Sequence, residues 1–162
     1  MMRSVKKGLL FAALLLITAT ASVFYFYTDR QMEEALLQPQ NLQLTSRGAG
    51  LYAENCASCH GGNLEGEPDW RSTSADGSLP APPHDETGHT WHHTDDLLFR
   101  ITKFGTAKAA GLDDLNSNMP AFEETLSDED IIAVLSWIKS QWPEELQQRH
   151  DTLNERTRSL QK

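Results

Sequence analysis

Two cysteines and a histidine occur together in the segment CASCH, residues 56–60, and the chain has no other cysteine. Two thiols three residues apart on a helical turn lie on one side of the backbone, so both can reach the two vinyl groups of one porphyrin. This C-x-x-C-H spacing is typical of covalent c-type haem attachment, in which the histidine ligates the iron. The motif therefore predicts Cys56 and Cys59 as thioether sites and His60 as an iron ligand.

Other uses of the two cysteines fit the sequence less well. A redox dithiol of the thioredoxin kind would require a βαβ pattern, which the sequence lacks. A zinc site would require further ligands, and no third cysteine exists to supply one. A small disulfide is compatible with the spacing and stays open as an alternative outside a reducing compartment.

The hydrophobic pattern predicts three helices and no strands around this motif. The helices are expected over about 45–57, 94–104 and 128–141, where apolar residues recur at helical spacing. Residues 62–93 are rich in proline and glycine and show no period. A loop of this length in a small domain usually has a function or wraps around something, and we refer to residues 62–93 as the long loop.

Capping residues define the expected helix starts. Thr45 or Ser46 is expected to cap the first helix, and Thr94 the second. Ser127 and Asp130 have the spacing of a capping box at the start of the third helix. These signals indicate where the backbone should enter each helix.

The N-terminal segment carries three basic residues, Arg3, Lys6 and Lys7, followed by the uncharged stretch 8–27. Twenty helical residues span about 30 Å, which is the thickness of the hydrocarbon core of a bilayer. We expect an uncleaved membrane anchor over residues 1–27, with its basic end in the cytoplasm and the rest of the chain outside. The alternative is a cleaved signal peptide, since the small residues at 19–21 resemble a cleavage site.

The remaining sequence divides into three parts. Residues 28–44 are polar and predict a linker, residues 45–142 the haem domain, and residues 143–162 a polar C-terminal tail that is either helical or frayed. In the tail, leucines repeat every seven residues, which predicts either a narrow docking seam or a solvated segment with few apolar residues. These leucines are Leu146, Leu153 and Leu160.

Charge is unevenly distributed along the chain. The sequence has 23 acidic and 14 basic residues, a net charge of −9, and every acidic residue lies after position 27. A nucleic-acid-binding protein needs a basic surface, so the composition argues against that class. An acidic surface keeps the protein soluble and also suits a basic protein partner, because complementary fields speed encounter.

The chain resembles the class I cytochromes c, and specifically the small, membrane-anchored, single-haem bacterial members, over about residues 45–142. In that family a glycine and an aromatic residue precede the first cysteine at four-residue steps, as Gly48, Tyr52 and Cys56 do here. The family's last helix carries a late aromatic residue, matched by Trp137, and crosses the first helix. The resemblance implies an all-α cytochrome c fold, with three or more helices around one covalently bound haem.

The same resemblance implies the axial ligands. His60 would be the proximal ligand, and the family's distal ligand is a methionine shortly before the last helix, matched by Met119. A His/Met pair leaves no open position on the iron and raises the reduction potential. A proline carbonyl orients the proximal histidine in this family, and the candidates are Pro80, Pro82 and Pro83, with Pro82 or Pro80 preferred.

Four further histidines lie in the long loop, more than the iron can bind. In one hypothesis they are polar loop residues that hydrogen-bond haem propionates; in another they form a copper or zinc site; in a third, one of them replaces Met119. Trp91, among them, either donates its indole N–H to a propionate or packs in the core. The histidines are His84, His89, His92 and His93, and the carboxylates available to a metal site are Asp85, Glu86, Asp95 and Asp96.

An electron carrier that cycles between Fe(III) and Fe(II), and not an enzyme, is the function that the resemblance implies. Its partners would be an electron-donating dehydrogenase or quinol-oxidising complex on one side, and a terminal oxidase or other reductase on the other. Its place would be the outer, periplasmic side of a bacterial cytoplasmic membrane. The alternatives are a copper- or zinc-handling or redox-sensing haem protein that uses the 84–93 histidines, and a structural subunit that docks through its tail.

Overall fold

The computed structural model describes residues 36–112 and 116–161, which form helices joined by loops. These two ranges contain no strand. Their one isolated β-bridge joins Leu79 and Ser117. The all-helical class predicted from the sequence is confirmed. The helices are α1 (Leu42–Asn55), α2 (Ala57–His60), α3 (Asp95–Phe104), α4 (Thr106–Ala110), α5 (Asp128–Ser140) and α6 (Glu144–Leu160), with a 3₁₀ turn at Thr90–His92 before α3.

The predicted membrane anchor at 1–27 and the linker as far as residue 35 lie outside the described residues. Across 36–112 and 116–161, no helix combines the length and apolar character needed to cross a bilayer. The anchor therefore stays a prediction from the sequence.

Helices α1 and α5 cross in direct contact at Gly48. A Cβ atom at this position would lie 2.0 Å from the carbonyl oxygen of Ala133 and 2.9 Å from the Cβ of Trp137. One turn further along α1, the Tyr52 ring packs against the Trp137 ring, with 4.6 Å between centroids. The crossing expected from Gly48, Tyr52 and Trp137 is thus present, and it needs a glycine because only a residue without a side chain lets the backbones approach so closely.

The hydrophobic core lies between α1, α3 and α5. The apolar stripe of α5 is almost completely buried, and burying one such side chain stabilises the fold by about 1.5–3 kcal/mol. The buried core residues are Leu37, Tyr52, Leu64, Leu98, Leu126, Ile131, Val134, Leu135, Ile138 and Trp142.

Two of the three predicted helix starts are confirmed. Thr94 caps α3 by accepting the Leu97 amide at 3.3 Å. Ser127 and Asp130 form the expected capping box at the start of α5. The predicted start of α1 is wrong, because Asn41 caps this helix by accepting the Leu44 amide at 3.2 Å.

The predicted boundary between linker and domain at residue 45 is also too late. Leu37 is 1 % exposed and belongs to the core. Its amide donates to Asp95 Oδ2 at 3.3 Å, and the Gln38 amide donates to Ser136 Oγ at 2.9 Å. Leu36 and Leu37 are adjacent and precede Pro39 in a polar stretch, so they show no helical spacing and the sequence pattern could not reveal this packing.

The C-terminal segment is a helix, α6, that packs on the rest of the domain. His150 is 0 % exposed and Asn154 is 7 % exposed. His150 Nε2 donates to the carbonyl of His93 at 2.8 Å, and Asn154 Oδ1 accepts the Asp95 amide at 2.8 Å. A helix was one of the two alternatives predicted for this segment, but the expectation that it is solvated and lies outside the domain is wrong. Its polar sequence was misleading because hydrogen bonds, rather than an apolar stripe, hold the helix in place.

The heptad leucines of α6 do not form one continuous apolar surface. Leu146 is half-buried against the core and Leu153 is half-buried, whereas Leu160 is 87 % exposed. Apart from Leu146 and Leu153, the side chains of α6 that face the domain are polar. The leucine repeat thus gives no support to a docking seam over the whole length of the helix.

Candidate haem-binding site

Both cysteines lie on one helical turn, where α1 ends and α2 begins. The Cys56 amide donates to the Tyr52 carbonyl at 2.9 Å, and the amides of Cys59 and His60 donate to the Cys56 carbonyl at 3.1 and 3.0 Å. Both thiols are free, with Cys56 half-buried and Cys59 exposed. The turn therefore presents two sulfurs that no disulfide occupies.

The two cysteine side chains differ in environment. Burial raises the pKa of the Cys56 thiol to about 11, and the nearby Cys59 adds to that shift. Since the thiolate is the reactive form of a cysteine, a free Cys56 stays protonated and unreactive at neutral pH. This environment argues against a redox thiol at Cys56.

His60 is oriented by a proline carbonyl. Its ring is buried, and Nδ1 lies 2.8 Å from the carbonyl oxygen of Pro82. A carbonyl only accepts, so Nδ1 carries the proton and the lone pair of Nε2 is left for a metal. Burial lowers the pKa of His60, against the opposing effects of Pro82 and Glu67, and favours this neutral form. Of the three candidate prolines, the structure selects Pro82.

Gly66 makes this arrangement possible because it lets the start of the long loop pack closely against Pro82 and Pro83 in the same loop. Its φ is +70°, and a Cβ there would lie 2.5 Å from the Pro83 nitrogen and 2.7 Å from the Pro82 carbonyl carbon. Its amide donates to the His60 carbonyl at 2.8 Å. The glycine thus joins the end of α2 to the segment that orients His60.

His84 is the one loop histidine that contacts His60. The two rings are stacked, with 4.0 Å between centroids and 23° between planes. His84 Nδ1 lies 2.8 Å from Thr90 Oγ1, and burial and the neighbouring His60 hold the pKa of His84 well below its ordinary value. His84 is therefore a buried, neutral ring beside His60.

The other loop histidines are placed against different partners. His89 stacks on Trp70 with 5.1 Å between centroids and meets His93 edge-on at 5.3 Å, while His92 packs on Trp91 at 3.7 Å. In the described ranges, no three His, Cys, Asp or Glu side chains converge as metal ligands. The predicted copper or zinc site thus receives no support from the geometry of these residues.

Trp91 has a buried polar atom without a partner. Its indole Nε1 is inaccessible and makes no hydrogen bond within the described residues. Leaving a buried donor unsatisfied costs about 1–3 kcal/mol, so such an atom usually has a partner in the complete molecule. A carboxylate of a bound haem would be a suitable acceptor, in line with the prediction for Trp91.

Met119 lies in a loop between α4 and α5 and is partly buried. Its Sδ accepts a hydrogen bond from Thr106 Oγ1 at 3.7 Å, and its amide donates to Ser117 Oγ at 3.3 Å. Ser117 Oγ in turn lies 3.3 Å from Thr106 Oγ1. Two hydroxyl groups therefore fix the backbone and the sulfur of this methionine.

The residues present fit a covalently bound haem. Cys56 and Cys59 are free thiols on one turn, His60 is neutral with Nε2 available, and Trp91 offers an unpaired buried donor. In the complete protein Cys56 and Cys59 would carry the porphyrin, and His60 would hold the iron. Together these groups match the chemistry of c-type haem.

Contacts from the C-terminal part were not predicted from the sequence. Trp142 Nε1 donates to the His84 carbonyl at 2.7 Å, and the Arg149 guanidinium lies 4.7 Å from the centre of the Trp91 ring. The one indication of these contacts in the sequence is Trp142, which directly precedes the polar segment 143–162 with its histidine, His150. The sequence alone predicts that such a polar segment is solvated, because it does not show which distant groups its side chains hydrogen-bond.

Comparison with known proteins places this site in a family. The family model described as "Cytochrome C oxidase, cbb3-type, subunit III" matches residues 43–138, more than half of the chain, and includes the C-x-x-C-H turn, Pro82, Trp91 and Met119. No curated protein and no solved structure matches the chain. The chain therefore belongs to the cbb3-type cytochrome c oxidase subunit III family, and its c-type haem-binding domain carries Cys56 and Cys59 in the attachment motif.

Proposed function

We propose that this protein is a membrane-anchored, single-haem electron carrier with His60 and Met119 as the axial ligands of the iron. The observation that carries the proposal is the hydrogen bond of 2.8 Å between His60 Nδ1 and Pro82 O, which leaves Nε2 free beside two unpaired thiols. When bound, the haem supplies one-electron chemistry between Fe(III) and Fe(II). The chain attaches the haem, fixes the proximal ring and keeps that ring buried.

Met119 is proposed as the distal ligand because its thioether is held by other side chains. Of the four methionines, it alone lies between the C-x-x-C-H motif and the last helix of the matched region. The Thr106 hydroxyl bonds one side of the sulfur and leaves a lone pair for the iron. A thioether ligand favours Fe(II) and raises the potential, and a six-coordinate iron has no place for oxygen or substrate.

The optical spectrum of the oxidised, haem-loaded full chain tests this ligation. A His/Met-ligated ferric haem has a weak far-red band from sulfur-to-iron charge transfer. We expect this band in the wild type, its loss in Met119→Ala, and a lower midpoint potential in that variant.

Met32→Ala is the matched control, because it removes a methionine that lies outside the haem domain. It should keep both the band and the potential of the wild type. A band that survives in Met119→Ala, or that the wild type lacks, would exclude Met119 as the ligand and leave His84 or an open position to be considered.

The proposed anchor is the uncharged stretch 8–27, preceded by Arg3, Lys6 and Lys7. It would hold the haem domain at the outer face of a bacterial cytoplasmic membrane, facing the periplasm. The test is whether the full chain stays with the membranes after an alkaline carbonate wash and has the mass of its precursor on a blot. A shorter, washable protein would show that the stretch is a cleaved signal peptide.

The proposed partners are a quinol-oxidising complex or dehydrogenase as donor and an oxidase or reductase as acceptor. Support comes from the acidic surface of the chain, which suits basic docking sites. The proposed role is a carrier between these partners and not catalysis.

A further inference from the structure

Helix α6 lies outside the region matched by the family model, yet it contacts the haem-binding part of the chain. The match ends at residue 138, and α6 begins at Glu144. His150 of α6 donates to the His93 carbonyl, and Asn154 pairs with both the amide and the carboxylate of Asp95. These hydrogen bonds fix α6 against the end of the long loop and the start of α3.

Arg149, next to His150 on α6, reaches the Trp91 ring. The carbon of its guanidinium lies 4.7 Å from the ring centre, within the range of a cation–π interaction. Arg149 is exposed, whereas Nε1 of Trp91 is buried and has no partner among the described residues. One ring therefore has a cation on its face and an unsatisfied donor at its edge.

These two observations have a common chemical consequence. A cation over the face of an indole draws electron density from the ring, which makes its N–H a stronger donor. The acceptor that such a buried donor suits best is an anion, because a hydrogen bond to a charged acceptor is about twice as strong as a neutral one. A haem held by Cys56, Cys59 and His60 would bring two carboxylates, and Cys56 and Trp91 pack against the same hydrophobic core.

We propose that Arg149 is a positioning residue for the haem carboxylate, acting through Trp91. Its guanidinium holds the ring and strengthens the indole N–H, which binds one haem propionate. The strengthened hydrogen bond disperses part of the negative charge of that carboxylate, which favours Fe(II). This inference rests on the proposed electron-carrier function and adds a segment that the family model does not include.

The test is the midpoint potential of the haem-loaded full chain, measured between pH 5 and 9, in the wild type and five variants. Arg149→Met and Trp91→Phe should each shift the ferric-to-ferrous equilibrium towards Fe(III) by about three- to tenfold, equal to about 28–59 mV for one electron. Both should also raise the pH at which the propionate titrates. Arg149→Lys keeps the cation and should keep most of the wild-type potential.

Arg156→Met is the matched control, because it removes the same charge from an exposed position of the same helix. It should leave the potential and its pH profile unchanged. The double variant Arg149→Met/Trp91→Phe should shift the potential no further than Trp91→Phe alone, since both residues act on one hydrogen bond.

Different results overturn the inference in distinguishable ways. If Trp91→Phe shifts the potential but Arg149→Met behaves as Arg156→Met does, the tryptophan binds the haem without Arg149. If neither shifts it, Trp91 does not bind the propionate. Failure of the wild type to attach haem and undergo reversible reduction would overturn the carrier function as well. Circular dichroism of each variant separates these results from loss of the fold.

Discussion

The hydroxyl groups of Thr106 and Ser117 hold the Met119 sulfur and its backbone by hydrogen bonds. Thr106 Oγ1 donates to Sδ at 3.7 Å, and Ser117 Oγ bonds both Thr106 and the Met119 amide. A hydrogen bond to the sulfur withdraws electron density from the lone pair that would bind iron. At the scale of the residue, Thr106 would therefore tune the electron donation of Met119, the proposed distal ligand.

Thr106→Val should lower the midpoint potential of the holoprotein. A neutral hydrogen bond contributes about 0.5–1.5 kcal/mol, which corresponds to at most about 60 mV for a one-electron couple. Thr106→Ser keeps the hydroxyl and should stay near the wild-type value, as measured by spectroelectrochemical titration. Equal potentials in all three proteins would mean that the hydroxyl does not bond the sulfur in the haem-loaded state.

His150 connects the stability of the domain to pH. Burial lowers its pKa, and Lys139 lowers it further, while Asp95, the His93 carbonyl and Asp151 act in the opposite direction. His150 is thus protonated less readily in the folded protein than in the unfolded chain, where the pKa of a histidine is about 6.5. The unfolding free energy should therefore fall as the pH decreases below about 6.5.

His150→Gln should reduce that dependence, because glutamine cannot be protonated and its amide can still donate to the His93 carbonyl. Denaturant titrations of the wild type and the variant between pH 7.5 and 5 measure the difference. The slope of unfolding free energy against pH should be smaller in the variant. The same slope in both would assign the acid sensitivity to other groups.

Between elements, the contact of α1 with α5 is the tightest constraint described. Gly48→Ala would place a methyl group 2.0 Å from the Ala133 carbonyl oxygen, so the helices would have to separate. Overpacking of this kind costs about 1–3 kcal/mol. Unfolding of the holoprotein in guanidinium chloride should show a loss of this size.

Gly50→Ala is the matched control on the same helix, because a Cβ there meets nothing within 4 Å. It should stabilise the protein by up to about 1 kcal/mol, since alanine favours a helix over glycine. If both variants changed the stability alike, the α1–α5 contact would not depend on the missing side chain at 48.

The sequence predicted those elements whose signals are local. Thr94, Ser127 and Asp130 marked helix starts because capping is decided within one turn of chain. The cap at Asn41 was missed, because the adjacent Leu36 and Leu37 before it do not show helical spacing. The family resemblance narrowed the carbonyl that orients His60 to three prolines, but the choice of Pro82 depends on how the whole long loop folds.

The packing of α6 could not be predicted for a related reason. His150, Asn154 and Trp142 bond main-chain carbonyls, amides or a carboxylate that are 57 to 59 residues away in sequence. A hydrophobic stripe is visible in one segment, whereas a polar contact depends on two segments at once. The covalent part of the site, by contrast, was predictable because C-x-x-C-H is contiguous.

For the whole molecule, the net charge of −9 acts on partners at longer range than any contact does. Several of its cations are already paired at the surface, as Arg47 is with Asp130 and Lys103 with Asp128. A cationic redox partner would therefore be attracted over roughly a Debye length, which is about 10 Å at 0.1 M salt.

Oxidation of the reduced holoprotein by small metal complexes of opposite charge measures this field. Raising the ionic strength from 10 to 100 mM should slow the reaction with a hexaammine cation several-fold and accelerate the reaction with a hexacyanoferrate anion. Stopped-flow absorbance at the haem bands gives both rates. A salt effect of the same sign on both reagents would mean that the haem edge does not experience the net charge.

Asp95 accepts hydrogen bonds from both ends of the domain, the Leu37 amide at 3.3 Å and Asn154 Nδ2 at 3.0 Å. During synthesis the chain emerges from its N-terminus, so this carboxylate obtains its last donor only when residue 154 has appeared. The C-x-x-C-H turn is made almost a hundred residues earlier. The two thiols are thus available before α6 can fix the end of the long loop, and the order of translation leaves an interval in which haem could enter.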